Sequence, residues 1–217
     1  MTPDLLRRAL ARPSPFPTFE WKHEPPPRPA AVIVPVAFEP EPTVYAVLRA
    51  SNLRDHAGEV GYPGGKPEVS DVDLRATALR ELEEEVALDD VEILGELHPV
   101  PVLTGRFVIH PFVAAIGEAR PAIRATEIAE ILPIALQPYL TGTTAIEAVK
   151  TSWGGLDFLT PHFHLLTQSA GRVVLYGASA FVLWELLLRI SAELGAELPA
   201  PVVVETRPWG DRYGSPG

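Results

Sequence analysis

The chain has 217 residues, a length that suits one substantial α/β domain better than two very small ones. Lysine and arginine total 18 against 28 aspartates and glutamates, and the formal charge of −10 argues against nonspecific binding to nucleic acid or anionic membranes. The absence of cysteine excludes disulfides, thiolate catalysis and cysteine-based zinc sites, leaving histidine and carboxylate as metal ligands.

Residues 1–13 lack the apolar centre of a signal peptide, and the longest uncharged apolar run, Val173 to Trp184, is too short to span a bilayer. The expectation is a soluble, cytoplasmic protein with neither nucleic acid nor membrane as partner. Hydrophobic residues make up 47% of the chain, so its 24 prolines and 16 glycines punctuate a globular fold rather than a disordered one. One Asn, two Gln, one Met and no Cys look like the loss of heat-labile residues described for thermophiles, although a GC-rich genome gives the same bias.

Thr2-Pro3 predicts a capped helix through Ala11 with Leu5, Leu6 and Leu10 on one side. Glu24 to Pro29 reads as an extended polyproline lead-in. Ala31–Phe38 and Thr43–Arg49 are β-branched apolar runs and read as a pair of strands. A glycine-rich loop follows (Gly58, Gly61, Gly64, Gly65), then an acidic helix over Leu74–Ala87. Further strands are expected at Val91–Glu96, Phe107–Ile116 and Val173–Leu175, with Pro111 suggesting an edge or a bulge in its strand. Ser179–Leu194 is the longest helical pattern. Strands flanking helices without regular βαβ alternation favour an α/β (α+β) fold with a mixed sheet between helices. The expected division is a lead-in over 1–30, a domain over 31–200 and a tail over 201–217 containing Trp209-Gly-Asp-Arg-Tyr-Gly, whose role is not legible.

Chemistry concentrates between Arg49 and Leu88. Leu79, Leu82 and Val86 form one buried stripe of the acidic helix, while Glu81, Glu84 and Glu85 share another face. Like charges at that spacing weaken a helix by about 0.2–0.5 kcal/mol per pair, a cost that makes sense if a divalent cation sits among them. On composition alone such a run is a solvated face. Its context shifts that reading: the Gly64-Gly65 pair permits close backbone approach to phosphates, and Lys66 and Arg80 supply cations. Oxygen-only ligands point to magnesium or manganese. A phosphate-loop nucleotidase is excluded, because Pro67 follows Gly65-Lys66 where Ser or Thr is required and Val60 occupies the first glycine position.

Gly65, Asp71 and Arg80-Glu-Leu-Glu-Glu-Glu-Val-Ala-Leu88 together resemble the Nudix box. The interval from Gly65 to Arg80 is one residue longer than in the commonest form, and Ala87 stands where the family has its helix-ending glycine. Upstream, Arg49, Leu53, Arg54, His56, Gly58, Val60, Pro63, Gly64 and Gly65 fit the signature of the coenzyme A pyrophosphatase branch, with Ala50 for Ser and Tyr62 for Phe. Thr126–Pro133 and Leu175–Ala180 look like that branch's later acidic-apolar-Pro segment and helix start.

The resemblance implies a Nudix-type α/β/α sandwich and a Mg²⁺- or Mn²⁺-dependent hydrolase that splits coenzyme A or its derivatives into 4′-phosphopantetheine and 3′,5′-ADP. It implies Glu81, Glu84 and Glu85 as metal ligands, Arg80 as the group that orients a carboxylate, and Arg49, Arg54, His56, Gly64, Gly65 and Lys66 toward substrate. Glu84 and Glu127 are both candidates for the general base. The competing readings are a pyrophosphatase for ADP-ribose, NADH or another dinucleotide, and a noncatalytic nucleotide sensor. Thr104 occupies the position where the ADP-ribose branch carries its proline, and the NADH branch's Pro-Trp-Pro-Phe-Pro array is absent. Whether the chain forms a homodimer stays open. His162-Phe-His164 could present two imidazoles on one strand face, but without a third ligand the pair reads as structure.

Overall fold

The computed structural model describes residues 1–17, 25–102, 104–118, 120–153, 156–169 and 171–207, so Trp209 to Gly214 lie outside the described residues. Helix α1 (Pro3–Ala11) starts as its sequence dictates, with the Thr2 hydroxyl accepting from the Leu5 amide at 3.3 Å. Leu6, Ala9 and Leu10 on it are buried, and Leu5 packs partly.

Strand β1 (Arg28–Ala37) begins three residues before the expected Ala31. Arg28 and Pro29 therefore belong to a strand rather than a polyproline segment. An unbroken parallel register, Arg28↔Phe107 to Val36↔Ala115, outweighs the local preference of the proline run. After β2 (Thr43–Arg49) come the short β3 (Val60–Gly61) and β4 (Gly64–Gly65), then α2 (Leu74–Val86) and β5 (Val91–Glu96). Next follow β6 (Val100–Pro101), β7 (Phe107–Ile116), β8 (Ile128–Ala135) and α3 (Gln137–Leu140). The chain continues through β9 (Glu147–Trp153), β10 (Leu156–Thr167), β11 (Gly171–Leu175), α4 (Gly177–Glu193) and β12 (Val202–Val204). The short strands β3, β4 and β6, strands β8 and β9, the part of β10 outside His162–His164, and helix α3 were not expected from the sequence.

Eight strands form one mixed sheet with the path β3-β2-β1-β7-β5, to which β4, β6 and β8 add by pairing with β1, β7 and β2. Four more form a second sheet in the order β11-β10-β9-β12. The two-residue period of β1 explains the layering. Ala31 and Ile33 face Ala78, Leu82 and Val86 of α2, whereas Val34 and Val36 join a core with Leu6 and Leu10 of α1 and Val182, Leu183 and Leu186 of α4. The larger sheet is thus sandwiched between helices. Among the described residues no helix is long and apolar enough to cross a membrane.

Pro111 does not mark an edge. Strand β7 is central, paired with β1 on one side and with β5 and β6 on the other. The proline fits because β5 pairing stops at Phe112 and β6 pairing starts at Ile109, so its missing donor falls opposite the break between them. Only its carbonyl is needed there, accepting from Leu97 N at 2.9 Å. The irregularity in register lies in β5, between Ile93 and Gly95.

Candidate active site

Helix α2 is set by its two ends. The Asp73 carboxylate caps it by accepting from Ala76 N at 2.7 Å, and Ala87 closes it in the left-handed region at φ 55°, where glycine would be unstrained. Between them Ala78, Leu82 and Val86 bury against the sheet, which fixes the rotation of the helix and hence the direction of its glutamates.

The glycine pair answers to packing. A side chain at Gly64 would meet the Ala31 carbonyl oxygen at 2.3 Å, and one at Gly65 would meet Glu81 Oε1 at 2.1 Å. Strand β4 therefore approaches the β1 backbone so closely at Gly64 that only glycine fits, whereas a side chain at Gly65 would have to displace the end of Glu81. The Gly64 amide donates to Glu85 Oε2 at 3.2 Å, tying the loop to the helix.

Arg80 organises the outer half of the site. Its Nε and Nη2 donate to the two oxygens of Asp71, each at 3.1 Å, and Nη2 also donates to the Lys66 carbonyl at 3.2 Å. Its Nη1 reaches Glu81 Oε1 and Glu84 Oε2, each at 3.1 Å. The bidentate partner is thus Asp71, a residue present in the sequence motif but not singled out as part of the site. Those hydrogen bonds hold the Asp71 carboxyl far below the usual carboxylate range.

The inner half centres on Glu85, whose side chain is 8% exposed. Burial pushes its carboxyl up to about 7, against the opposing pull of the Gly64 amide and Arg49. Glu81 is likewise raised, by burial first, with Arg80 opposing. Arg49 spans from Glu85 Oε1 at 3.6 Å to Glu127 Oε2 at 2.9 Å, and its buried Nε has no hydrogen-bond partner among the described residues. Glu127 is held close through its own carbonyl, which accepts from Ala50 N at 2.8 Å.

The helix carboxylates therefore do not converge on one point. Glu81 and Glu84 turn to Arg80, and Glu85 turns to Gly64 and Arg49. Lys66 projects its ammonium over the Phe107 ring, 5.3 Å from the centroid. His56 sits at φ 58° with Nδ1 2.8 Å from Glu59 Oε2, a bond that raises its pKa. Its nearest role is to pin the β2–β3 loop, and Arg54 lies exposed on the same loop. A cation fits this donor set: the ligands are all oxygen, and two of the carboxylates are desolvated beside further negative charge.

Residues 26–135 match the NUDIX domain family model. A curated relative from Yersinia enterocolitica, named "Uncharacterized Nudix hydrolase NudL", is 45% identical over 91 residues, covering 41% of this chain and 46% of the relative. A protein of the same name from Cronobacter sakazakii is 47% identical over 96 residues, 43% of this chain and 50% of the relative. The chain spans about half the length of the curated relatives it matches. Among solved structures, a MutT/nudix family protein from Enterococcus faecalis superposes with a TM-score of 0.50 at 15% identity, covering 82% of this chain and 71% of that one, a likeness of fold.

Proposed function

The chain belongs to the Nudix family, and from that premise we propose that it is a divalent-cation-dependent hydrolase of nucleoside diphosphate derivatives, with coenzyme A or one of its derivatives as substrate. The observation that carries this reading is the meeting of three sequence-distant segments at Glu85: the Gly64 amide at 3.2 Å, the Arg49 guanidinium at 3.6 Å and, through Arg49, the Glu127 carboxylate. The upstream signature and the acidic helix are halves of one site.

Glu81, Glu84 and Glu85 are the residues that would hold Mg²⁺ or Mn²⁺. Bound there, the ion supplies charge neutralisation for the diphosphate oxygens and Lewis acidity toward water. The rest of the work is positioning, because phosphoryl transfer asks little covalent chemistry of a protein. Water attacks one phosphorus, the bond to the bridging oxygen breaks, and the second phosphate departs. For coenzyme A the products are 4′-phosphopantetheine and 3′,5′-ADP. Glu84, hydrogen-bonded to Arg80, and Glu127, hydrogen-bonded to Arg49, are the two carboxylates available to take the proton of the attacking water. Arg49, Arg54, His56 and Lys66 are the cations available to phosphate oxygens in a chain of net charge −10. Arg80 is a positioning residue that fixes Glu81 relative to the loop carrying Asp71.

Incubation with Mg²⁺ and, in parallel, coenzyme A, ADP-ribose, NADH and a diadenosine polyphosphate, followed by chromatography, tests both levels. Preferential cleavage of coenzyme A is the expected result. Preference for another diphosphate keeps the chemistry and discards the substrate, and no turnover with any of them would favour the noncatalytic nucleotide-sensor reading.

A further inference from the structure

The paired histidines on β10 acquire a third ligand that sequence spacing does not reveal. The antiparallel register sets His162 directly opposite Glu147 of β9, and the two-residue period of a strand brings His164 to the same side. Glu147 Oε2 lies 3.1 Å from His162 Nε2 and 3.2 Å from His164 Nε2. The two rings stand nearly perpendicular, at 84°, with centroids 5.4 Å apart, so both Nε2 atoms aim at one region. One ligand atom from each of the three residues falls within 4.8 Å of the other two.

We propose that Glu147, His162 and His164 form a binding site for one divalent transition-metal ion of the zinc class, separate from the acidic helix and independent of the hydrolase reading. Bonds of about 2.0–2.1 Å to a tetrahedral ion place neighbouring ligand atoms roughly 3.3 Å apart, close to the two spacings seen here. Both imidazole Nε2 atoms already meet the same carboxylate oxygen, Glu147 Oε2, so a single cation between them would bond all three groups. Two imidazoles and one carboxylate leave a fourth position for water, and such a set ranks zinc far above magnesium. The oxygen-only set of α2 has the opposite preference.

The side chain of His162 is fully buried, and burial lowers its pKa. Burial alone would raise the Glu147 carboxyl, yet the hydrogen bonds from His164 and His162 carry it below its ordinary value. The side chains of Glu147 and His164 are 35% and 31% exposed, which gives an ion a route from solvent. Glu147 also pairs with Val202 of β12, so a bound ion clamps the centre of the second sheet and its effect is on stability.

The test uses untagged, chelator-treated full chain in millimolar Mg²⁺, which occupies oxygen-only sites, titrated calorimetrically with Zn²⁺. The expected result is one equivalent bound, a higher thermal midpoint, and visible absorption of an imidazole-ligated ion when Co²⁺ replaces Zn²⁺. His164→Ala and Glu147→Gln, both partly exposed and therefore tolerable to the fold, should each weaken binding roughly tenfold or more. Glu85→Gln should bind Zn²⁺ as the wild type does. Absence of Zn²⁺ binding in Mg²⁺, undiminished binding by both sheet variants, or loss of binding in Glu85→Gln alone would overturn the assignment.

Discussion

Arg189 on α4, set against Arg80 on α2 and Arg49 on β2, shows how the same chemistry serves opposite ends. Arg189 lies in the core with Glu185 one helical turn before it, and its Nε and Nη2 donate to Glu185 Oε1 at 2.9 and 2.6 Å. Its remaining nitrogen donates to the carbonyls of Leu10 and Arg12, and Glu185 Oε2 accepts from His98 N at 3.0 Å. One positive and one negative charge cancel, every partner is protein, and the pair ties α4 to α1 and to the β5–β6 connection. Around Arg80 and Arg49 stand six carboxylates, Glu68, Asp71, Glu81, Glu84, Glu85 and Glu127. Burial raises the pKa of two of these, Glu81 and Glu85. A balanced pair holds the fold together, whereas a surplus of carboxylates, three of them largely buried, is the arrangement a cation would neutralise.

That contrast yields separable expectations. Glu85→Gln removes the most desolvated carboxylate of the surplus and should lower kcat on coenzyme A by roughly two to three orders of magnitude, with the thermal midpoint little changed. Glu185→Ala does the reverse. It strands a buried guanidinium and should cost about 3–5 kcal/mol of stability in denaturant titration, with activity per folded molecule intact. Arg80→Lys keeps the charge but loses the fork that grips Asp71, and a fall of about 10- to 100-fold in kcat with a smaller change in KM is expected. The smallest effect belongs to Ala87→Gly. Relief of a left-handed alanine should stabilise the protein by about 1 kcal/mol, a rise of roughly 2–4 °C in Tm, without altering turnover.

The sequence makes α2, β2, β5 and β7 legible because each is specified locally, by caps, apolar period or β-branched runs. Part of the candidate site was legible for a related reason: Glu81, Glu84 and Glu85 fall within little more than one turn of α2, and the glycine pair announces close backbone approach. What Gly65 approaches was not readable, since the neighbour is Glu81 itself. Strands β9 and β10 hid behind Lys150, Pro161 and the two histidines, residues that discourage a strand reading until cross-strand partners are known. Strand β8 hid likewise, and its Pro133 is tolerated opposite Tyr45 of β2. Glu147 could not be joined to His162 by spacing, because register is a tertiary property. Glu185 and Arg189, by contrast, left a signal: an opposite-charge pair at i, i+4 inside the most apolar helix reads as a buried ion pair.

The most direct test of the account is turnover of coenzyme A by Glu81→Gln in Mg²⁺, measured beside its thermal midpoint. Loss of turnover by orders of magnitude with an unchanged midpoint is the predicted result. Retention of most activity would remove the acidic face of α2 from the chemistry and contradict the claim that its uncompensated charge is there to bind a cation.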